Sequence, residues 1–127
     1  MTDPQPNRLE GVRVLIVEDE FFLADDLARA FRAAGGEPVG PVGTIGEAED
    51  LLTQDKVDAA VVDLNLRGLM AFDFLERVAA AQLPCLIVSG YGPTEVPQSM
   101  RGLPRLEKPV SPATVVDCLA GELARAD

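Results

Sequence analysis

The sequence contains no histidine, only two cysteines and no apolar run long enough to span a membrane. Without histidine, the usual general base, catalytic triads and most zinc sites are excluded. Cys85 and Cys118 lie far apart in apolar stretches, where free cysteine behaves as a small hydrophobic residue, so we expect reduced thiols and no disulfide. The amino terminus does not have the pattern of a signal peptide, and we expect a cytoplasmic protein that does not contact a membrane.

Basic residues are also scarce, since 11 Lys and Arg stand against 21 Asp and Glu, for a formal net charge of -10. Proteins bind duplex nucleic acid through basic residues that neutralise phosphates, so we expect no direct contact with nucleic acid. Cations and basic protein surfaces are the expected ligands. The length of 127 residues and the 47% of hydrophobic residues predict one globular domain over residues 11–127, behind a disordered lead-in over residues 1–10.

Apolar runs alternate with helical patterns along the domain. Strands are predicted over residues 12–17, 39–42, 57–63, 85–88 and 103–107. Helices are predicted over residues 21–34, 44–53, 70–81, 93–102 and from 112 onward, with Thr44 and Ser111 as N-caps. This alternation predicts an α/β domain with a parallel sheet covered on both faces. Pro41 favours an edge position for the second strand.

Polar residues follow the apolar runs of four of the five predicted strands. They are Glu18 and Asp19 after the first strand, Asp63 after the third, Ser89 after the fourth and Lys108 after the fifth. Right-handed crossovers bring all strand-to-helix loops to one edge of a parallel sheet. We therefore expect these five side chains to meet at that edge.

Clustered carboxylates repel one another unless protons or a cation compensate, and a hard cation such as Mg²⁺ or Mn²⁺ prefers their oxygens. Lys108 and Ser89 suit phosphoryl oxygens, and a carboxylate can attack phosphorus to form an aspartyl phosphate. Taken singly, each residue has an ordinary explanation. The acids at 18–20 are also typical of a solvated first helical turn, and Lys108 of an ordinary surface. Their joint placement at strand ends favours a phosphoryl site.

Four motifs resemble the receiver domain of bacterial two-component response regulators, from about Gly11 onward. They are Val-Leu-Ile-Val-Glu-Asp-Glu at 14–20, Val-Val-Asp-Leu-Asn-Leu at 61–66, Ser-Gly-Tyr-Gly at 89–92 and Glu-Lys-Pro at 107–109. The resemblance implies a flavodoxin-like (βα)5 doubly wound sandwich with a five-stranded parallel sheet in the order 2-1-3-4-5.

The resemblance also implies a role for each site residue. Asp63 is the implied phosphoacceptor. The cation is implied to bind Asp19, Asp63 and the backbone carbonyl of Asn65, with Glu18 acting through a metal-bound water. Ser89 and Lys108 are implied to hold the phosphoryl group.

The sequence departs from the usual receiver pattern at the fifth strand. Arg105 stands where most receivers have an aromatic switch residue, which puts the usual coupling in doubt and makes Arg105 a candidate for the signalling face. Residues 87–92 resemble instead the FATGUY single-domain receivers of alphaproteobacteria, with Ile-Val-Ser in place of Phe-Ala-Thr. Tyr91 is a candidate gate of the site, and packing of its ring on the loop is an equal alternative.

By this resemblance the protein accepts a phosphoryl group from a histidine kinase or phosphotransfer protein and is not a turnover enzyme. Because nothing follows Asp127, we expect output through contact with an unknown downstream protein, or use as a phosphate sink. The expected contact face comprises the fourth helix, fifth strand and fifth helix, and the same face allows a homodimer.

Two alternatives stay open. A pseudo-receiver that binds without phosphorylation is disfavoured because all five site residues are present. A phosphatase of the haloacid dehalogenase type is disfavoured because Asn65 stands where a second Asp is needed for acid–base catalysis.

Overall fold

The computed structural model describes residues 8–54, 56–90 and 102–126. The strands are β1 (Arg13–Val17), β2 (Glu37–Val42), β3 (Ala59–Asp63), β4 (Asn65–Leu66), β5 (Leu69–Met70), β6 (Cys85–Ser89) and β7 (Arg105–Glu107). The helices are α1 (Phe21–Ala33), α2 (Ile45–Gln54), α3 (Phe72–Ala80) and α4 (Pro112–Ala126). Apart from Gly102, the helix predicted over residues 93–102 lies outside the described residues.

The main sheet has five parallel strands in the order β2-β1-β3-β6-β7. Since β6 and β7 are the fourth and fifth predicted strands, this order is the expected 2-1-3-4-5. The predicted fold class is therefore confirmed. β2, which contains Pro41, lies at an edge as predicted, where a residue without an N–H is tolerated.

Two apolar layers cover the sheet because successive side chains along a strand point to opposite faces. On β1, Leu15 and Val17 belong to the layer under α2 and α3, whereas Val14 and Ile16 belong to the layer under α1 and α4. Both layers are buried from solvent, and the sheet edge where the strands end is left for polar residues.

The predicted N-caps are present at two helices. The Glu47 backbone N–H donates to Thr44 Oγ1 at 3.2 Å before α2, and the Thr114 N–H donates to Ser111 Oγ at 3.3 Å at the start of α4. Each cap satisfies a backbone donor that lacks a partner within its helix. Both helices therefore begin directly after the predicted cap residue.

The amino-terminal segment joins the domain earlier than the sequence predicted. Residues 1–7 of the expected lead-in lie outside the described residues. Leu9, also assigned to that lead-in, is fully buried in the layer under α1 and α4, and its N–H donates to the Ala34 carbonyl at 2.8 Å. Burial of one leucine and a backbone hydrogen bond tie this turn to α1.

A small antiparallel hairpin, β4–β5, replaces the simple loop that was expected after Asp63. Arg67 and Gly68 form its two-residue turn, both with positive φ (53° and 88°), as a type I′ turn requires. The Gly68 N–H donates to Asn65 Oδ1 at 2.8 Å. This bond compensates for an arginine at a position that usually holds Asn, Asp or Gly.

Among the described helices, none is both long and apolar enough to cross a bilayer.

Candidate functional site

Three acids meet where β1 and β3 end. The strands are neighbours with Val17 paired to Val62, so the residues that follow, Glu18–Asp19 and Asp63, emerge side by side. One carboxylate oxygen from each of these three acids lies within 4.8 Å of the others. The structure thus brings together the three carboxylates that the sequence placed at one sheet edge.

Asp63 is held in a fixed orientation at the end of the central strand. Only 4% of the surface of Asp63 is exposed to solvent. The Asn65 N–H donates to Asp63 Oδ1 at 3.0 Å, and Lys108 Nζ donates to Oδ2 at 3.1 Å. Both carboxylate oxygens therefore have a defined partner.

Lys108 joins the site from the far side of β6. Its backbone N–H donates to the Ser89 carbonyl at 2.7 Å, which anchors the start of the segment after β7. Its ammonium contacts Glu18 Oε2 at 3.0 Å and Asp63 Oδ2 at 3.1 Å, and it also bonds to Glu20. The Lys108 ammonium thus compensates the negative charge of three carboxylates.

Glu18 has a perturbed pKa. Burial is the largest cause, and the nearby Asp63 charge adds to it, whereas the Glu20 N–H and Lys108 act in the opposite direction. The balance raises the pKa of Glu18 to about 7. For Lys108, burial lowers the pKa, but its bonds to Glu20, Glu18 and Asp63 outweigh burial and raise that pKa above the ordinary lysine value. The lysine is therefore fully charged at neutral pH.

Ser89 ends β6 and is buried, one residue beyond Val88, which pairs with Asp63. Its strand, β6, lies between β3, which ends at Asp63, and β7, which precedes Lys108. Arg105 is exposed and opens the edge strand β7. Tyr91 lies outside the described residues, so its gating role stays a hypothesis.

Two residues of this site were not assigned from the sequence. Glu20 was recognised as part of the acidic run, but its ion pair with Lys108, 88 residues away, has no local signal. Arg67 approaches Asp19 from the hairpin turn, with Arg67 Nε 3.9 Å from Asp19 Oδ2. That approach depends on a hairpin which the sequence did not predict.

An open cleft adjoins the acids and has a volume of about 420 Å³. It is lined by the segment between β1 and α1, by α1, by the end of β2 and by the hairpin turn, through Glu18, Asp19, Phe21, Ala24, Asp25, Pro41, Val42, Gly43 and Arg67. Glu18 and Asp19 are therefore reachable from this cleft, although Glu18 is buried.

The chain is similar in sequence and structure to several known proteins. No family model matches the chain. The solution structure of SdrG from Sphingomonas melonis Fr1 is similar, with 32% sequence identity and a TM-score of 0.76 over 89% of this chain and 97% of that chain. A CheY-like response regulator receiver domain protein from Methanospirillum hungatei JF-1 has the same fold, with 22% identity and a TM-score of 0.79 over 92% of this chain and 97% of that one. The chain belongs to the response regulator receiver domains.

A curated relative agrees with this assignment. The transcriptional regulatory protein PdtaR of Mycobacterium tuberculosis (strain ATCC 25618 / H37Rv) is 29% identical to this receiver over 128 residues, or 98% of the chain. The receiver spans 62% of the length of that relative. Receiver domains are signalling proteins that accept a phosphoryl group, interact with histidine kinases or phosphotransfer proteins and typically bind Mg²⁺ at an acidic pocket.

The residues of this receiver fit such a cation. Glu18, Asp19 and Asp63 supply oxygen ligands within a small space, and hard divalent cations prefer oxygen. Two of the acids are buried, so water alone compensates their charge poorly. The donor set therefore has the chemistry that Mg²⁺ or Mn²⁺ requires.

Proposed function

We propose that this receiver accepts a phosphoryl group on Asp63 from a histidine kinase or histidine phosphotransfer protein in the cytoplasm. The orientation of Asp63 carries the proposal. This buried carboxylate lies at a strand end with both oxygens hydrogen-bonded, beside two further acids and a charged lysine. A nucleophile held in this way needs little reorganisation before attack.

In the proposed transfer, a carboxylate oxygen of Asp63 attacks phosphorus as the bond to the donor breaks, and the electron pair leaves with the donor. Lys108 and Ser89 hold phosphoryl oxygens in the product. Asp19, Asp63 and the Asn65 carbonyl would hold Mg²⁺ or Mn²⁺, with Glu18 acting through a water. When bound, the cation neutralises the acids and attracts the phosphoryl oxygens.

Asn65 supports a signalling protein over a turnover phosphatase. Its side-chain oxygen accepts the Gly68 N–H in the hairpin turn, and a carboxamide cannot serve as the general acid or base that such an enzyme needs. The other alternative, a pseudo-receiver that binds without phosphorylation, is disfavoured because the acids and the lysine of the site are all present.

The output of the receiver is proposed to be a phosphorylation-dependent contact with another protein, or use as a phosphate sink. Arg105, exposed on β7 in place of the usual aromatic residue, belongs to the proposed contact face, which also allows a homodimer. The likeness of residues 87–92 to the FATGUY single-domain receivers supports output through such a contact or as a phosphate sink. Tyr91 is proposed to share in gating the site.

Intact-mass spectrometry with acetyl phosphate and Mg²⁺ tests the proposal. We expect the wild type to gain one phosphoryl group and Asp63→Asn to gain none. Asp73→Asn, which removes an exposed carboxylate from the first turn of α3, is the matched control and is expected to behave as the wild type. If a purified donor kinase also fails to modify the wild type, the proposal is wrong.

A further inference from the structure

All the N–H donors of the Lys108 ammonium group are already hydrogen-bonded. A lysine side chain has three N–H donors. Three carboxylates accept from it, namely Glu18 Oε2 at 3.0 Å, Asp63 Oδ2 at 3.1 Å and Glu20. A phosphoryl oxygen arriving at Asp63 therefore gains a bond from Lys108 only if one existing bond breaks.

With attack on phosphorus through Asp63 Oδ1, Lys108 keeps its bond to Asp63 Oδ2, and of the two glutamates Glu20 leaves at less cost. The Glu18 side chain is 2% exposed and also accepts the Glu20 backbone N–H at 3.0 Å, so two bonds hold it in place. The Glu20 side chain is 59% exposed, and among the residues that the structure describes its carboxylate bonds only to Lys108. Water solvates an exposed carboxylate well, whereas moving Glu18 would break a second bond.

The surroundings also leave room for Glu20 to move. A cleft of about 300 Å³ adjoins the ion pair and is lined by Glu20, Leu23, Gly90, Lys108, Pro109 and Val110. Glu20 is the N-cap residue of α1, but its side chain makes no capping hydrogen bond. Release of the Glu20 carboxylate would therefore leave the backbone start of α1 unchanged.

We propose that Glu20 is a positioning residue that holds Lys108 before phosphorylation and gives way to a phosphoryl oxygen as Asp63 is modified. Because the Lys108–Glu20 bond breaks before the lysine can stabilise the incoming group, Glu20 slows phosphorylation. This inference rests on the proposed function of Asp63.

The test compares Glu20→Ala and Glu20→Gln with the wild type in time courses of phosphorylation by acetyl phosphate and Mg²⁺, followed by intact mass. Glu20→Ala frees one lysine donor, and we expect phosphorylation about threefold faster, in keeping with the loss of one exposed ion pair. Glu20→Gln is expected to accelerate less, because its amide oxygen still accepts a hydrogen bond. Asp26→Asn is the matched control, since it removes the same charge from an exposed position on α1.

A second measurement reports on the lysine directly in the unphosphorylated protein. The exchange of the Lys108 ammonium protons with water, measured by NMR, is expected to be faster in Glu20→Ala than in the wild type and unchanged in Asp26→Asn. A purely structural effect on α1 would not alter this exchange selectively.

The outcomes separate the two proposals. If the wild type is phosphorylated but the Glu20 variants react no faster than Asp26→Asn, or if lysine exchange is equal in all variants, the role of Glu20 is overturned while that of Asp63 stands. If neither acetyl phosphate nor a kinase modifies the wild type, the proposed function fails and the inference fails with it.

Discussion

Lys108 Nζ lies 3.1 Å from Asp63 Oδ2, although 45 residues separate the two in sequence. They belong to the ends of β7 and β3, which are not neighbours, since β6 lies between them. The lysine side chain therefore spans one strand to compensate a buried carboxylate. This contact joins the central strand of the sheet to its edge, and the chemistry of the site depends on it.

The raised pKa of Glu18 predicts a pH-dependent cost to stability. Its folded-state pKa is about 7, against an ordinary value of 4.5, so the native state holds a proton that the unfolded state loses between these values. Stability is thus lost as pH rises through this window, and the loss is complete above about 7. Glu18→Gln removes this cost. We therefore expect the stability of Glu18→Gln relative to the wild type to rise by roughly 3 kcal/mol between acidic pH and pH above 7.

Urea denaturation of the metal-free protein on both sides of this window checks the prediction. Glu76→Gln, which changes an exposed acid on α3, is the control and should follow the wild type at every pH. Parallel stability curves for the wild type and Glu18→Gln would contradict the raised pKa.

Arg67 is expected to weaken cation binding. Its guanidinium lies 3.9 Å from Asp19, a proposed ligand, and repels a divalent cation there. Because this arginine is exposed, we expect Arg67→Gln to bind Mg²⁺ only about twofold more tightly. Isothermal titration calorimetry measures the affinity. Arg32→Gln, which removes an exposed arginine on α1, is the control. An equal gain in Mg²⁺ affinity in Arg32→Gln would show that the effect comes from net charge and not from the position of Arg67.

The two thiols are expected to differ in reactivity. Both cysteines are free, as predicted, and burial raises the pKa of Cys85 to about 12, whereas Cys118 is only half-buried. Since the thiolate is the reactive form, a disulfide reagent should label Cys118 in the native protein and Cys85 only after unfolding. The single-cysteine variants Cys85→Ser and Cys118→Ser assign the signals, and native labelling of Cys85 would be inconsistent with its burial.

The cap of α4 is expected to contribute to stability. Ser111 Oγ accepts the Thr114 N–H at 3.3 Å, and Ser111→Ala should lower the free energy of unfolding by about 1 kcal/mol. Ser111→Asp keeps a capping oxygen and should retain most of that stability. Thermal or urea unfolding compares the variants. Equal losses in both would show that the hydrogen bond is not the cause.

The sheet could be predicted from the sequence because burial on both faces leaves a strong pattern. β3 and β6 are apolar runs that end at Asp63 and Ser89, and Pro41 marked β2 as an edge strand. Parallel strands with right-handed crossovers then bring the strand ends together without any knowledge of tertiary contacts. The convergence of Glu18, Asp19 and Asp63 followed from topology alone.

The remaining details depend on contacts that leave no local pattern. The β4–β5 hairpin was missed because Arg67–Gly68 is not a typical turn pair, and its stability depends on the Asn65 side chain. The burial of Leu9 depends on α1 packing nearby, and the bond between Glu20 and Lys108 on side-chain reach. Such features are set by tertiary structure rather than by propensity or periodicity.

The most direct test of the central claim is to trap the acyl phosphate with borohydride after reaction with acetyl phosphate and Mg²⁺. Borohydride reduces an aspartyl phosphate to homoserine with release of phosphate, and peptide fragmentation locates the altered residue. The account predicts homoserine at position 63 in place of Asp63, and nowhere else. Reduction at Glu18 or Asp19, or none in a protein that has gained a phosphoryl group, would contradict it.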